Sequence, residues 1–251
     1  MTRRSVLLAG ESWTSTATHI KGFDQFPTVT YHNGAKTFLA AVKDSPYDVQ
    51  HMPSHEAQED FPTTLEGLLR YDAIILSDIG ANTLLLHPDT WAKSARTPNR
   101  LKLLREYVAA GKGLMMIGGY LSFQGINGVA RYRNTPVEEV LPVRCLPYDD
   151  RCEVPEGFTP ELVADHPITA NLGSAWPHLL GYNEVEVKPG ATVIARVPET
   201  GHPLLVAGTH GKGRTLAWTS DISHHWLPPE FSDWEGNATL WLNCLSWLTS
   251  Q

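Results

Sequence analysis

Three stretches of this chain concentrate side chains that can do chemistry. The first is Gly113 to Gly125, GLMMIGGYLSFQG, where an apolar run ends on a Gly-Gly pair. A residue held on a sharp strand-to-helix turn is pushed into a cleft, the geometry hydrolases use to expose an attacking side chain. Here that residue is Tyr120, flanked by Gly118, Gly119 and Ser122. A phenol, with a pKa of about 10, is protonated at neutral pH and suits hydrogen-bond donation or general-acid work better than nucleophilic attack. Equally, an aromatic ring after two glycines can plug a pocket. Ser122 lacks a glycine two residues to either side, so GxSxG is incomplete, and its hydroxyl reads as a cap on the following turn or helix.

The second stretch is Asp221-Ile222-Ser223-His224-His225-Trp226. A carboxylate beside an imidazole fixes its tautomer and raises its basicity, so Asp221 is read as orienting His225 toward a ligand, with Trp226 alongside. A metal reading needs convergent ligands, with Glu11 or His19 completing Asp221, His224 and His225. No HExxH-type spacing supports it and adjacent histidines rarely reach one ion, so no metal is expected. The third group follows two apolar runs: Glu11, Ser12 and Trp13 in a loop after the first, and Asp78 to Asn82 after the third. Glu11 and Asp78 serve as acid–base groups if a cleft raises their pKa values, or as helix caps if it does not.

The elements that must position these residues alternate. Apolar β-like runs occur at Ser5 to Ala9, Tyr47 to Met52, Asp72 to Ile79 and Gly113 to Ile117. Between them, Phe38, Leu39 and Val42 share one helical face, as do Leu101, Leu104 and Val108. Continuous aliphatic strands separated by helices predict a doubly wound, mostly parallel α/β sheet. The third group and the Gly118–Gly119 turn then share its carboxyl edge, where open sheets bind ligands. After Pro136 repeated prolines break helical continuity, and a β-rich extension is expected from Glu184. His210 to Gly213 reads as a hairpin turn, making Lys212 and Arg214 turn residues rather than a phosphate clamp. A closing helix, about Trp234 to Leu248, carries Trp241, Leu245 and Leu248 as an apolar stripe.

The 251 residues read as one domain, 1–251, and the net charge of −7 without a basic block argues against nucleic-acid or membrane partners. The apolar start is too short for a signal peptide or a membrane span. Three cysteines without CxxC spacing suggest neither a disulfide framework nor a cysteine zinc site, and fit a cytoplasmic location. GxGxxG and Walker patterns are lacking, so no nucleotide cofactor is expected. The eight tryptophans allow a homo-oligomer interface.

The chain resembles the class I glutamine amidotransferase-like superfamily, in a glutamine amidotransferase-like branch near the ThuA-like proteins. The residues carrying the resemblance are Gly10 to Trp13, Gly118 to Gly125, Thr135 to Val143, Asp165 to Ile168 and Thr219 to Trp226. The resemblance implies a flavodoxin-like fold. It also implies a glutaminase site with an elbow cysteine, a histidine and an acidic partner, with backbone N–H groups such as those of Gly80 and Ala81 as oxyanion donors. The elbow cysteine's place falls on Tyr120, so glutaminase activity is not expected. The expected function is binding of a small polar metabolite by Glu11, Trp13, Asp78, Gly80, Gly119, Tyr120, Ser122, Asp221, His225 and Trp226. The alternatives are a non-glutaminase hydrolase or lyase using His225 with Tyr120 or Glu11, and a structural or interaction subunit.

Overall fold

A computed structural model describes residues 3–250. β1 (Arg4–Gly10) is followed by an arm of two strands, β2 (Ser12–Lys21) and β3 (Asp24–Asn33). Next come α1 (Lys36–Val42), β4 (Tyr47–Met52), α2 (Ser54–Asp60), α3 (Leu65–Leu69) and β5 (Ala73–Ser77). Helices α4 (Ala81–Leu85), α5 (Pro88–Lys93) and α6 (Arg100–Ala109) lead to β6 (Gly113–Ile117). The Pro-rich part holds α7 (Pro136–Val140), β7 (Val143–Cys145), β8 (Arg151–Phe158), β9 (Glu161–Leu162), β10 (Leu179–Asn183) and β11 (Val185–Val187). It is followed by β12 (Thr192–Arg196), β13 (Pro203–His210), β14 (Gly213–Trp218), α8 (Pro229–Ser232) and α9 (Asn237–Thr249).

The main sheet has eight strands in the order β4-β1-β5-β6-β14-β13-β12-β9. The strands from β4 to β14 are parallel, and β13, β12 and β9 each reverse direction. The aliphatic runs of β1, β5 and β6 are buried because helices cover both faces. Phe38, Val42, Trp241, Leu245 and Leu248, from α1 and α9, pack with Trp218 on one face. Phe61, Leu68, Leu101, Leu104 and Val108 fill the other. The fold is therefore the doubly wound, flavodoxin-like α/β architecture, with the β7–β11 and β8–β10 pairs forming part of a β-rich extension. From β1 the chain runs to β4 on one side and from β4 it crosses back to β5 on the other side of β1, and such a switch point opens a crevice at the carboxyl ends.

Two expectations fail locally. The stretch after Gly10 is not a loop: Ser12 opens a ten-residue strand, paired with β3 in an exposed hairpin. Its β-branched residues favour a ladder, and Gly22 at φ +67° makes the turn. The elbow after β6 leads into turns and a 3-10 segment, Ile126–Gly128, rather than an α-helix. Arg214 stacks its guanidinium over Trp247 at 5.2 Å and donates to that residue's carbonyl, so it belongs to the packing of α9 and is no phosphate clamp.

Candidate functional site

The carboxyl ends of β1, β5, β6 and β14 deliver Glu11, Asp78, Tyr120 and Asp221 to one crevice. Glu11 and Asp78 both take left-handed backbone, φ 50° and 42°, which turns each chain off its strand. The elbow needs its two glycines. A Cβ on Gly118 would lie 2.1 Å from the Thr219 carbonyl oxygen, and Gly119 sits at φ +139°. A cavity of about 390 Å³ is lined by Trp13, Asp78, Tyr120, Leu121, Ile126, Asp221, Ser223, His224 and His225.

One wall is a hydrogen-bonded cluster centred on Glu153 of β8. The Tyr120 hydroxyl lies 3.0 Å from Glu153 Oε1 and 3.0 Å from His225 Nε2. Glu153 Oε2 accepts from Trp226 Nε1 at 2.9 Å and stands 3.3 Å from His225 Nε2. The His225 ring stacks on Trp226, and the Arg151 guanidinium lies 5.0 Å over the Tyr120 ring. Burial, then the Glu153 contact, raises the Tyr120 pKa, with Arg151 opposing. The phenol therefore stays protonated at neutral pH and acts as a donor. His225 itself holds φ 123°, a region non-glycine residues rarely adopt, and such backbone recurs where a site demands it.

The floor is acidic. Glu11 is fully buried; its Oε2 accepts from the Ser77 hydroxyl at 2.6 Å, while Oε1 meets no partner among the described residues. Burial pushes its pKa up to about 7, the Asp78 charge adds to this, and the hydroxyls of Ser77 and nearby Ser223 oppose it. Asp78 Oδ1 accepts from the Leu121 N–H at 2.6 Å, and burial raises its pKa despite that bond. Asp221 is raised well above the carboxylate range by burial, then by Glu11 and Asp78. The three acids thus form one electrostatic cluster in which burial and mutual repulsion favour the protonated forms.

Behind the elbow a separate network fixes its backbone. Asn183 Oδ1 accepts from the Gly119 N–H at 2.9 Å, and its Nδ2 donates to Asp150 Oδ1 at 2.8 Å. Asp150 also accepts from the N–H groups of Gln124 and Gly125.

The structure brings Trp13, Asp78, Tyr120, Asp221 and His225 to the cavity and leaves five expected residues behind it. Glu11 sits under Asp78. Trp226 is fully buried against Gly181. Gly119 has its N–H engaged by Asn183. Gly80 packs on Ala130, whose carbonyl takes the Ala81 N–H at 2.8 Å, so that N–H is not a free oxyanion donor. Ser122 caps no helix; its hydroxyl donates to the Ile117 carbonyl at 2.5 Å and accepts from the Asp78 N–H, stapling the elbow. Asp221 does not orient a histidine, since its Oδ1 accepts from the N–H groups of Ile222 and Ser223; Glu153 is the acid that meets His225. His19 lies on the hairpin, bonded to Thr28 and stacked on Phe26, and does not join Glu11. Sequence reading missed Glu153, Asp150 and Asn183, whose roles exist only once β8 and β10 pair.

The family described as "Putative glutamine amidotransferase" matches residues 5–250. Two solved structures of cytoplasmic proteins, from Salmonella typhimurium and its LT2 strain, are similar along the whole chain. The first is 41% identical at a TM-score of 0.94, covering 98% of this chain and 99% of that one. The second is 45% identical at 0.93, covering 98% and 100%. A thua-like protein from Parabacteroides merdae shares the fold at 12% identity, with a TM-score of 0.63, covering 100% of this chain and 91% of that one. No curated protein sequence matches. With nearly every residue matched and a tyrosine on the elbow, the chain belongs to this glutamine amidotransferase-like family.

Proposed function

We propose that the chain binds a small polar metabolite in the Tyr120–His225 cleft and does not hydrolyse glutamine. The observation carrying this reading is the Tyr120 hydroxyl, which occupies the elbow and is bonded to both His225 and Glu153. Acyl transfer needs an activated nucleophile, and a phenol with a raised pKa is not one. Cys145 and Cys244 are buried away from the elbow, and Cys152 lies on β8.

The lining narrows the ligand. Asp78 and Asp221 favour a neutral or cationic molecule that presents hydroxyl or amine donors, because an anion would raise their pKa values further. Trp13, Leu121 and Ile126 offer an apolar side to such a ligand. The reading places the protein in the cytoplasm, as the names of the two Salmonella proteins say of those proteins. A second reading, a non-glutaminase hydrolase or lyase, draws on the 3.0 Å approach of His225 to Tyr120, a base and an acid in contact, with Glu11 as a further acid.

A thermal-shift screen of amino acids, amides, sugars and amines tests both, since a ligand of the native state raises apparent stability. The expected result is a saturable rise in Tm that Tyr120→Phe weakens and His225→Ala abolishes, with glutamine left intact. Turnover of the hit, lost in the same variants, establishes the second reading. No response across the panel, or a response unchanged in both variants, overturns the cleft.

A further inference from the structure

A second polar cluster lies across β8 from Glu153, independent of the cleft and of its proposed ligand. Cys152 pairs with Tyr182 across the β8–β10 ladder, which the Glu184 N–H extends by donating to the Asp150 carbonyl at 2.7 Å. Strand alternation puts Tyr182 and Glu184, two residues apart, on one face, beside Cys152. His202 reaches the same spot from the turn ahead of β13, held by its own N–H on the Thr200 hydroxyl. One ligand atom from each of Cys152, Glu184 and His202 lies within 4.8 Å of the other two, and all three residues are half-buried.

The imidazole is held in a specific orientation. His202 Nδ1 lies 3.1 Å from the Tyr182 hydroxyl, which also meets the Thr200 hydroxyl at 3.2 Å and the Cys152 thiol. An imidazole donating from Nδ1 keeps a lone pair on Nε2, and that nitrogen stands 3.6 Å from Glu184 Oε1. An outer partner on the far nitrogen is the arrangement that orients histidines at metal ions. A lone pair, a carboxylate and a thiol converging on one point are all acceptors or potential anions, and a cation is what satisfies them together.

We infer that Cys152, Glu184 and His202 form a binding site for a borderline-soft divalent ion of the zinc type, with solvent as fourth ligand. Sulfur and nitrogen donors select against Mg2+ and Ca2+, which take oxygen. Tetrahedral zinc with bonds of about 2.0–2.3 Å places its ligand atoms roughly 3.3–3.8 Å apart. The Glu184–His202 separation already falls there. On binding, the Cys152 S–H bond breaks, its proton leaves to solvent and a sulfur–metal bond forms, without change of oxidation state. The ion would tie β8, which carries Glu153 on its other face, to the turn between β12 and β13.

Co2+ is the probe, added to the full chain after chelator dialysis with thiols reduced. A thiolate-to-cobalt absorption band should appear, saturate at one equivalent and be displaced by Zn2+. Cys145 and Cys244 are buried, so the band reports Cys152. Cys152→Ser should abolish it, and His202→Ala should remove tight Zn2+ binding. Tyr182→Phe, which removes only the positioning hydroxyl, should keep the band while weakening affinity about 10- to 100-fold. Circular dichroism confirms that each variant is folded. No band in the wild-type protein, or one unchanged in Cys152→Ser, overturns the site and leaves Glu184 and His202 as a polar contact only.

Discussion

Asp150 and Glu11 are both carboxylates taken out of water beside the same elbow, and they are served very differently. Asp150 accepts from the Gln124 and Gly125 N–H groups and from the Asn183 amide. Glu11 accepts one hydroxyl on one oxygen and, among the described residues, no hydrogen bond on the other, with Asp78 as an acidic neighbour. Burial raises both pKa values, to about 6 and about 7. The difference lies in what each acid supports. Donors around Asp150 would be stranded without it, whereas Glu11 strands only itself. A buried acid ringed by donors is part of the scaffold, and one with an idle oxygen among other acids is a proton store.

The largest effect expected from this contrast is at Asp150. Asp150→Ala removes the acceptor of the Gln124 and Gly125 N–H groups and one of the two acceptors of Asn183 Nδ2, which keeps the Gly119 carbonyl at 3.2 Å. The loss of about 3 kcal/mol lowers Tm by roughly 6–12 °C for a chain this size. A variant melting within about 2 °C of wild type would show that the Asn183–Asp150 network does not hold the elbow.

Glu11→Gln should move stability the other way. Glu11 and Asp221 keep protons in the folded state that the unfolded chain has released, so folding takes up protons. The associated stability is complete below the unfolded carboxylate range, about pH 4, and is lost as pH rises through the folded Glu11 value of about 7. Glutamine removes the Glu11 share, on the order of 3 kcal/mol, between about pH 4.5 and 7. Urea midpoints at pH 5 and pH 8 should show the variant gaining on wild type at pH 8. An equal pH slope in both proteins would break the comparison.

How far this was legible in the sequence follows from the range of the interactions. The parallel strands were, because burial on both faces writes continuous aliphatic runs into β1, β5 and β6. The positions of Glu11, Asp78, Tyr120 and Asp221 at one edge followed from that order. The hairpin carries a sequence signal too, two β-branched runs around Gly22. Glu153, Asp150 and Asn183 carried none, since their segment is broken by prolines and their side-chain partners lie 25 to 73 residues away along the chain. Misreading Asp221 has the same origin: proximity in sequence pointed to His225, while the turn committed its carboxylate to its own backbone.

The elbow offers a smaller test. If the Asp150 side holds its backbone, the phenol on the cleft side is dispensable for folding. Tyr120→Phe should melt only about 2–4 °C below wild type, because a half-buried hydroxyl contributes about 1 kcal/mol. Ligand affinity should fall about tenfold, the equivalent of one hydrogen bond. A large drop in Tm would move Tyr120 from the binding surface into the scaffold.

The finest probe is Ser223→Ala. This hydroxyl lies 3.4 Å from Asp221 Oδ1 and opposes the rise in the Glu11 pKa, yet Glu11 Oε1 has no hydrogen-bond partner among the described residues. Removing it should change stability at pH 5 by under about 0.5 kcal/mol, since a long, poorly directed contact is worth little. It should also shift the midpoint of the pH–stability curve to higher pH, because the remaining stabilisation of ionised Glu11 then comes from Ser77 alone. A midpoint that stays put, or moves to lower pH, would mean that Ser223 does not touch the acid cluster. Glu11 would then owe its proton to burial and Asp78 alone, and Ser223 would serve only to line the cleft.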